Sequence, residues 1–196
     1  MTHPPIWFLR HGQTEWNAVR RIQGQMESHL TDLGRWHAGE QARIMAPILQ
    51  HSGARCLVSP LARARITAEI ALPDQIIETD PRLMEIHAGD WQGLYYEDVL
   101  ARWPDLVNEQ MSALEMFAHA PGGEGLGTFR ARIEAVLGEI DRPTVIVAHG
   151  LWGQVARAVL RDLPDDRMHR LDNLQGVVYA LRDGQETILR APAQDM

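Results

Sequence analysis

Two stretches of this chain end in the same way, and together they restrict the fold more than any other feature. Ile6-Trp7-Phe8-Leu9 runs into Arg10-His11-Gly12, and Thr144-Val145-Ile146-Val147-Ala148 runs into His149-Gly150. Each is a short apolar run without the polar alternation of a half-exposed strand. Strands buried on both faces belong to mostly parallel sheets covered by helices. Each run stops at a histidine followed by glycine, which lets the backbone turn sharply or approach a ligand closely. In open α/β sheets, ligands bind beyond the carboxyl ends of the strands. If these strands lie side by side, the two imidazoles face each other across one crevice.

The segments between them fit that architecture. Thr31 is a good N-cap for a helix through about Gln50, with Leu33, Trp36, Ile44, Ile48 and Leu49 as its apolar side. Cys56-Leu57-Val58 reads as a second strand. Ser59-Pro60 reads as an N-cap and first-turn proline for a helix from about Leu61 to Ala71. Gln75 to Glu78 suggests a third strand. Helices are expected over Thr128–Ile140 and Leu151–Arg161. Asp183-Gly184 marks a hairpin between Val177–Leu181 and Thr187–Leu189. The stretch from about 81 to 127 differs: it holds helical pieces over Tyr95–Trp103 and Pro104–Phe117. It reads as a helical cap inserted into a three-layer α/β/α sandwich with a mostly parallel central sheet. Trp91, Trp103, Met111, Met116 and Phe117 suit the cap's own small core, which could also wall off a substrate's organic part. The chain has 196 residues, 45% of them apolar, which suits one domain over residues 1–196.

Charge and composition exclude several classes. The formal net charge of -7 argues against nucleic acid, whose binders carry a basic patch or stripe. All 19 basic residues are arginine, which rules out Schiff-base chemistry and the lysine-bearing phosphate loop. Any anion must be held by guanidinium forks. Cys56 is the only cysteine, so an intramolecular disulfide and a cysteine metal cluster are both excluded. No apolar run reaches transmembrane length and the first residues lack a signal-peptide pattern, so a cytoplasmic location without membrane contact is expected.

Neutral imidazole is nucleophilic, and an ordinary pKa of about 6.5 keeps much of it neutral at cell pH. A histidine can attack phosphorus directly and carry the phosphoryl group. The charge spread over the transferring oxygens then calls for fixed donors. Arg10 adjoins His11, and Arg63 lies just inside the helix after the Cys56 strand. Arg65, two residues on, points elsewhere and reads as a solvated or ion-paired arginine. Glu85, between Met84 and Ile86, could be desolvated enough to protonate a leaving alkoxide. The residues alone leave it equally readable as a surface glutamate. His87 could border the same place.

The motifs are similar to those of the histidine phosphatase (phosphoglycerate mutase-like) superfamily. Leu9-Arg10-His11-Gly12-Gln13-Thr14-Glu15-Trp16-Asn17 resembles the family's LRHG(E/Q)T-x-WN signature. The likeness continues, in order, through Gln23-Gly24 and Leu30 to Gly34. It returns at Ser59-Pro60-Leu61-x-Arg63-Ala64-x-x-Thr67-Ala68, at Glu85 with Gly89 to Gly93, at Pro121 to Glu124, and at Val147 to Gly150. The resemblance implies that His11 is the phosphorylated nucleophile and that Arg10, Arg63 and His149, with Gly150, hold the phosphoryl oxygens. Glu85 is then the general acid, and Thr14, Asn17, Gln23 and Gly24 line the phosphate pocket. It implies no metal and no cofactor. The partner is a small phosphorylated metabolite, and a homodimer is compatible with base rates.

This chain departs from the pattern at Gly125, where the family often has serine, and at Leu151-Trp152-Gly153-Gln154 after the second histidine. Bulky Trp152 is expected either to narrow the phosphate pocket or to repack the core beneath it. Family mutases carry a longer, basic segment near the acid, whereas Glu85 to Leu100 here holds no arginine or lysine. That favours a phosphatase. The alternatives are a 2,3-bisphosphoglycerate-dependent phosphoglycerate mutase and a non-catalytic phosphate- or phosphoprotein-binding module.

Overall fold

A computed structural model describes residues 3–192. Its core is a six-stranded sheet: β1 (Ile6–Arg10), β2 (Arg55–Val58), β3 (Ile77–Thr79), β4 (Thr144–Ala148), β5 (Val178–Arg182) and β6 (Gln185–Leu189). The strand order is β3-β2-β4-β1-β5-β6. The first four run parallel, and β5 and β6 join as an antiparallel hairpin. Asp183 and Gly184 close that hairpin with φ of 51° and 73°, the pair of positive angles that a two-residue hairpin turn needs. β1 and β4 are adjacent, with Arg10 opposite Ala148.

Helices cover both faces. They are α1 (Glu15–Ala18), α2 (Asp32–Ser52), α3 (Ala62–Ala71), α4 (Tyr96–Arg102), α5 (Ala113–Ala118), α6 (Gly125–Gly138), α7 (Gly150–Leu160) and α8 (Asp165–Met168). Alternate strand residues face opposite layers. Leu9, Val58, Val145 and Val147 pack with Ile44, Met45, Ala64 and Ala68 of α2 and α3. Ile6, Phe8, Leu57 and Ile146 pack with Phe129, Ile133, Trp152 and Val155 of α6 and α7, together with the segment from 81 to 124. Cys56 is a buried thiol of the first layer, and burial pushes its pKa up to about 11. No described helix is long and apolar enough to cross a membrane.

Several local expectations need correction. Thr31 does cap α2, its hydroxyl accepting the Gly34 amide at 3.0 Å. The buried stripe of that helix, however, is Gly34, Ala38, Gln41, Ile44 and Met45, while Leu33 and Trp36 face solvent. The cause is close packing: a side chain on Gly12 would meet the Gly34 carbonyl at 2.1 Å, so small residues must face the His11 loop. Ser59 is not a helix cap, because α3 starts at Ala62 after Leu61. Strand β3 starts two residues later than expected and α6 three residues earlier. Pro104–Phe117 is not one helix: Ser112 and Glu115 form a reciprocal capping box, so helix begins only at Ala113.

Candidate active site

The β1–β4 register places the two histidines together at the sheet's carboxyl edge. The His11 amide donates to the Ala148 carbonyl at 3.0 Å. The imidazole centroids lie 5.2 Å apart with the rings tilted by 59°. Both side chains are buried. His11 Nδ1 is 2.7 Å from the Gly12 carbonyl oxygen. A carbonyl only accepts, so Nδ1 carries the proton and Nε2 of the neutral ring keeps its lone pair. Burial, reinforced by Arg63 and Arg10, holds the His11 pKa well below its ordinary value. His149 is depressed in the same way, by burial first and then by Arg63. Its Nε2 is 2.7 Å from the Ser59 hydroxyl, and its Nδ1 has no hydrogen-bond partner. Ser59 thus orients the second imidazole from the tip of β2.

Two guanidinium groups flank the pair. Arg63 is fully buried on the first turn of α3. Its Nη1 donates to the Met26 carbonyl at 2.8 Å and its Nη2 to the Gly24 carbonyl at 2.7 Å. Thr67 ties the same helix to the histidine loop: its hydroxyl donates to the Arg63 carbonyl at 2.7 Å and accepts the Gly12 amide at 3.0 Å. Burial lowers the Arg63 pKa to about 10, which leaves it charged at neutral pH. Arg10 donates through Nη1 to the Asn173 carbonyl, and burial lowers its pKa as well. The Nε atoms of both arginines are buried without a partner.

Glu85 completes the set. Its carboxylate accepts the amides of Leu151 and Trp152 at 3.0 Å each, at the N-terminus of α7, and that of Ile86 at 3.1 Å. Burial raises its pKa, and these amides and Arg63 oppose the rise without reversing it. Trp152 leaves the pocket open: its side chain is fully buried, stacked 6.0 Å from Phe8, and its indole donates to the Arg82 carbonyl.

A cavity of about 140 Å³ brings together Arg10, His11, Asn17, Gln23, Gly24, Arg63, Glu85 and Gly150. Thr14 stands behind this wall rather than in it. Its hydroxyl caps α1 and accepts the Gln23 amide at 2.8 Å, and its own amide donates to Asn17, so it pins two of the lining side chains. His149 is not among the lining residues; its ring stands behind that of His11, 5.2 Å between centroids. His87 is not among the lining residues, and Arg65 faces Glu69 on its own helix at 4.0 Å. The wall also contains Phe117, from the apolar cap set, and Leu151, together with Arg21, Tyr96 and Asn173, which local sequence patterns did not single out. Ser59 carried a usable signal: it follows β2 at the same sheet edge as the two histidines, but Ser-Pro imitates a helix start.

An α/β sheet whose edge joins two imidazoles of depressed pKa, two guanidinium groups and a carboxyl of raised pKa has the groups that phosphoryl transfer to a ring nitrogen would need. A family model for the histidine phosphatase superfamily (branch 1) matches residues 6–192. The chain belongs to that superfamily. It is 36% identical over 173 residues to a glucosyl-3-phosphoglycerate phosphatase of Mycolicibacterium vanbaalenii, covering 81% of this chain and 74% of that protein. It is 35% identical over 156 residues to a "Probable phosphoglycerate mutase" of Serratia proteamaculans, covering 74% of this chain and 69% of the other. Among solved structures, a mycobacterial glucosyl-3-phosphoglycerate phosphatase complexed with VO3 superposes with a TM-score of 0.73 at 27% identity. That match covers 96% of this chain and all (100%) of the other.

Proposed function

We propose that this chain is a phosphatase that hydrolyses small phosphomonoesters through a phosphohistidine on His11. The observation that carries this reading is the Nδ1 contact of His11 with the Gly12 carbonyl, which leaves Nε2 free as a nucleophile beside two fixed cations. Nε2 attacks phosphorus as the P–O bond to the alcohol breaks. The Glu85 carboxyl gives its proton to the departing oxygen. The Gly12 carbonyl supports the positive charge that builds on the ring, while Arg10 and Arg63, with His149 beside them, bind the phosphoryl oxygens. Water then attacks phosphorus, Glu85 takes its proton, the P–N bond breaks and inorganic phosphate leaves. Neither half-reaction assigns a step to a metal. In this reading the chain acts as one domain, with residues of about 81–127 as its cap, on a free cytoplasmic metabolite.

The test measures phosphate release from p-nitrophenyl phosphate and a panel of metabolite phosphates in EDTA, for wild type and His11→Ala. EDTA-resistant release that His11→Ala abolishes is the expected result. A folded chain that releases phosphate from nothing overturns it. The likeness to a phosphoglycerate mutase makes one more assay necessary: 3-phosphoglycerate with and without 2,3-bisphosphoglycerate, scored for isomerisation. Isomerisation without net phosphate release assigns the chain to the mutases. The absence of arginine and lysine from Glu85 to Leu100 supports hydrolysis.

A further inference from the structure

Beside the phosphate pocket lies a cleft of about 690 Å³ whose chemistry is different. Tyr96 and Ala113 line both, so the two spaces share a wall. Leu100, Met111, Met116 and the exposed Tyr95 give the cleft an apolar side beside its charged one. Its charged residues are Arg20, Glu97 and Glu109. None of the three forms an ion pair among the described residues. The Arg20 guanidinium lies over the Tyr96 ring at 5.7 Å, so part of its surface is already engaged.

This cleft has the place and the composition to receive the organic part of an ester whose phosphorus sits at His11. It is several times larger than the phosphate pocket, so a group as small as a glycerol would leave most of the apolar wall uncovered. A bulky group gains by covering that wall. A second anionic group on the alcohol would meet two carboxylates against one arginine. We propose that the cleft selects phosphomonoesters of bulky, ring-bearing alcohols that carry no second negative charge, and that Glu97 and Glu109 disfavour carboxylate-bearing and bisphosphorylated esters. The inference rests on the phosphatase reading and adds the substrate class to it.

Four alkyl phosphates separate size from charge. Adenosine 5′-monophosphate is bulky and otherwise neutral, and glycerol 3-phosphate is small and neutral. 3-Phosphoglycerate adds a carboxylate, and fructose 1,6-bisphosphate adds a phosphate. The expected kcat/KM is highest for the nucleotide and lowest for the two polyanions. In the double variant Glu97→Arg with Glu109→Arg, the ratio of 3-phosphoglycerate to glycerol 3-phosphate should rise about fivefold, the scale of exposed charge pairs. In Leu100→Trp, which fills the cleft, KM for the nucleotide should rise more than KM for glycerol 3-phosphate. Wild-type preference for either polyanion, or a ratio unmoved by the double variant, overturns this inference. If p-nitrophenyl phosphate is hydrolysed at the same time, the phosphatase reading stands. Failure on every ester, p-nitrophenyl phosphate included, overturns that reading as well.

Discussion

Glu85 Oε1 accepts the backbone amide of Trp152 at 3.0 Å, so the candidate acid is docked on the first turn of the helix that follows His149. The helix amides favour its charged form and burial favours its acid form. Burial prevails, and the pKa is raised.

Replacing Glu85 by glutamine keeps one oxygen for the Trp152 and Ile86 amides, gives up the one that accepts from Leu151, and removes the acidic proton. The expected loss in kcat for alkyl phosphates is about 10² to 10⁴. The loss should be much smaller for p-nitrophenyl phosphate, whose leaving group departs without a proton. Steady-state rates on both esters check this, and equal losses would assign Glu85 a different role.

The pH–rate profile follows from the two shifts. His11 works unprotonated, and its pKa is held well below 6.5, so the acidic limb should lie well below pH 6.5. Glu85 must start protonated, and its raised pKa moves the alkaline limb above the ordinary carboxylate range. Single-turnover phosphorylation should therefore give a bell whose alkaline limb disappears in Glu85→Gln. An acidic limb at 6.5 would contradict the neutral, buried imidazole.

Stability should also fall with acid before most carboxylates titrate. His11 and His149 stay neutral in the fold but gain protons in the unfolded chain below about 6.5. Their contribution is complete above that pH and shrinks as pH falls through 6.5 toward their folded values. From pH 7.5 to 5.5 the pair should lower stability by no more than about 2–3 kcal/mol, the limit set by an unfolded pKa of about 6.5. Glu85 has the opposite sign: its raised pKa stabilises at low pH and is lost as pH rises through the folded value. Urea unfolding of wild type and His149→Asn at both pH values separates them, because the variant should lose about half of the histidine effect.

Arg157 acts at a distance. Its guanidinium stacks 3.7 Å from the Tyr179 ring centroid, binds Glu186 through two nitrogens and donates to the Asp172 carbonyl at 2.7 Å. Tyr179 holds the Asp172 carboxylate at 2.7 Å, and the next residue, Asn173, supplies the carbonyl that takes Arg10. Arg157→Met should lower stability by less than the roughly 3–5 kcal/mol of a fully stranded buried charge, because Arg161 still faces Glu186 at 3.3 Å. It should also raise KM by loosening Arg10. Thermal denaturation and kinetics together check this, and a stability loss with KM unchanged would limit Arg157 to the scaffold.

The parts of this site that local chemistry dictates were legible in the sequence. The strands ending in His11 and His149 announce themselves because an unbroken apolar run and a following glycine are sufficient to place a tip. Arg63 was legible from its position just inside a helix. Glu85 was legible only as a candidate, since its neighbours in the chain do not reveal that the α7 amides and burial surround it. Tyr96, Arg21 and Asn173 left no signal, because they reach the pocket through packing between distant segments. Leu33 and Trp36 misled for the converse reason: backbone closeness at Gly12 and Gly34, rather than hydrophobicity, decides which face of α2 is buried.

The adjacency of β1 and β4 has a kinetic consequence. Arg10 and its carbonyl partner at Asn173 are separated by 163 positions, and the two histidine strands, Ile6–Arg10 and Thr144–Ala148, are likewise far apart in sequence. Contacts of such long range close late and slowly. A chain emerging from the ribosome therefore cannot hold the two imidazoles together until the segment through His149 has been made and has paired with β1. Turnover in this molecule is a readout of finished folding.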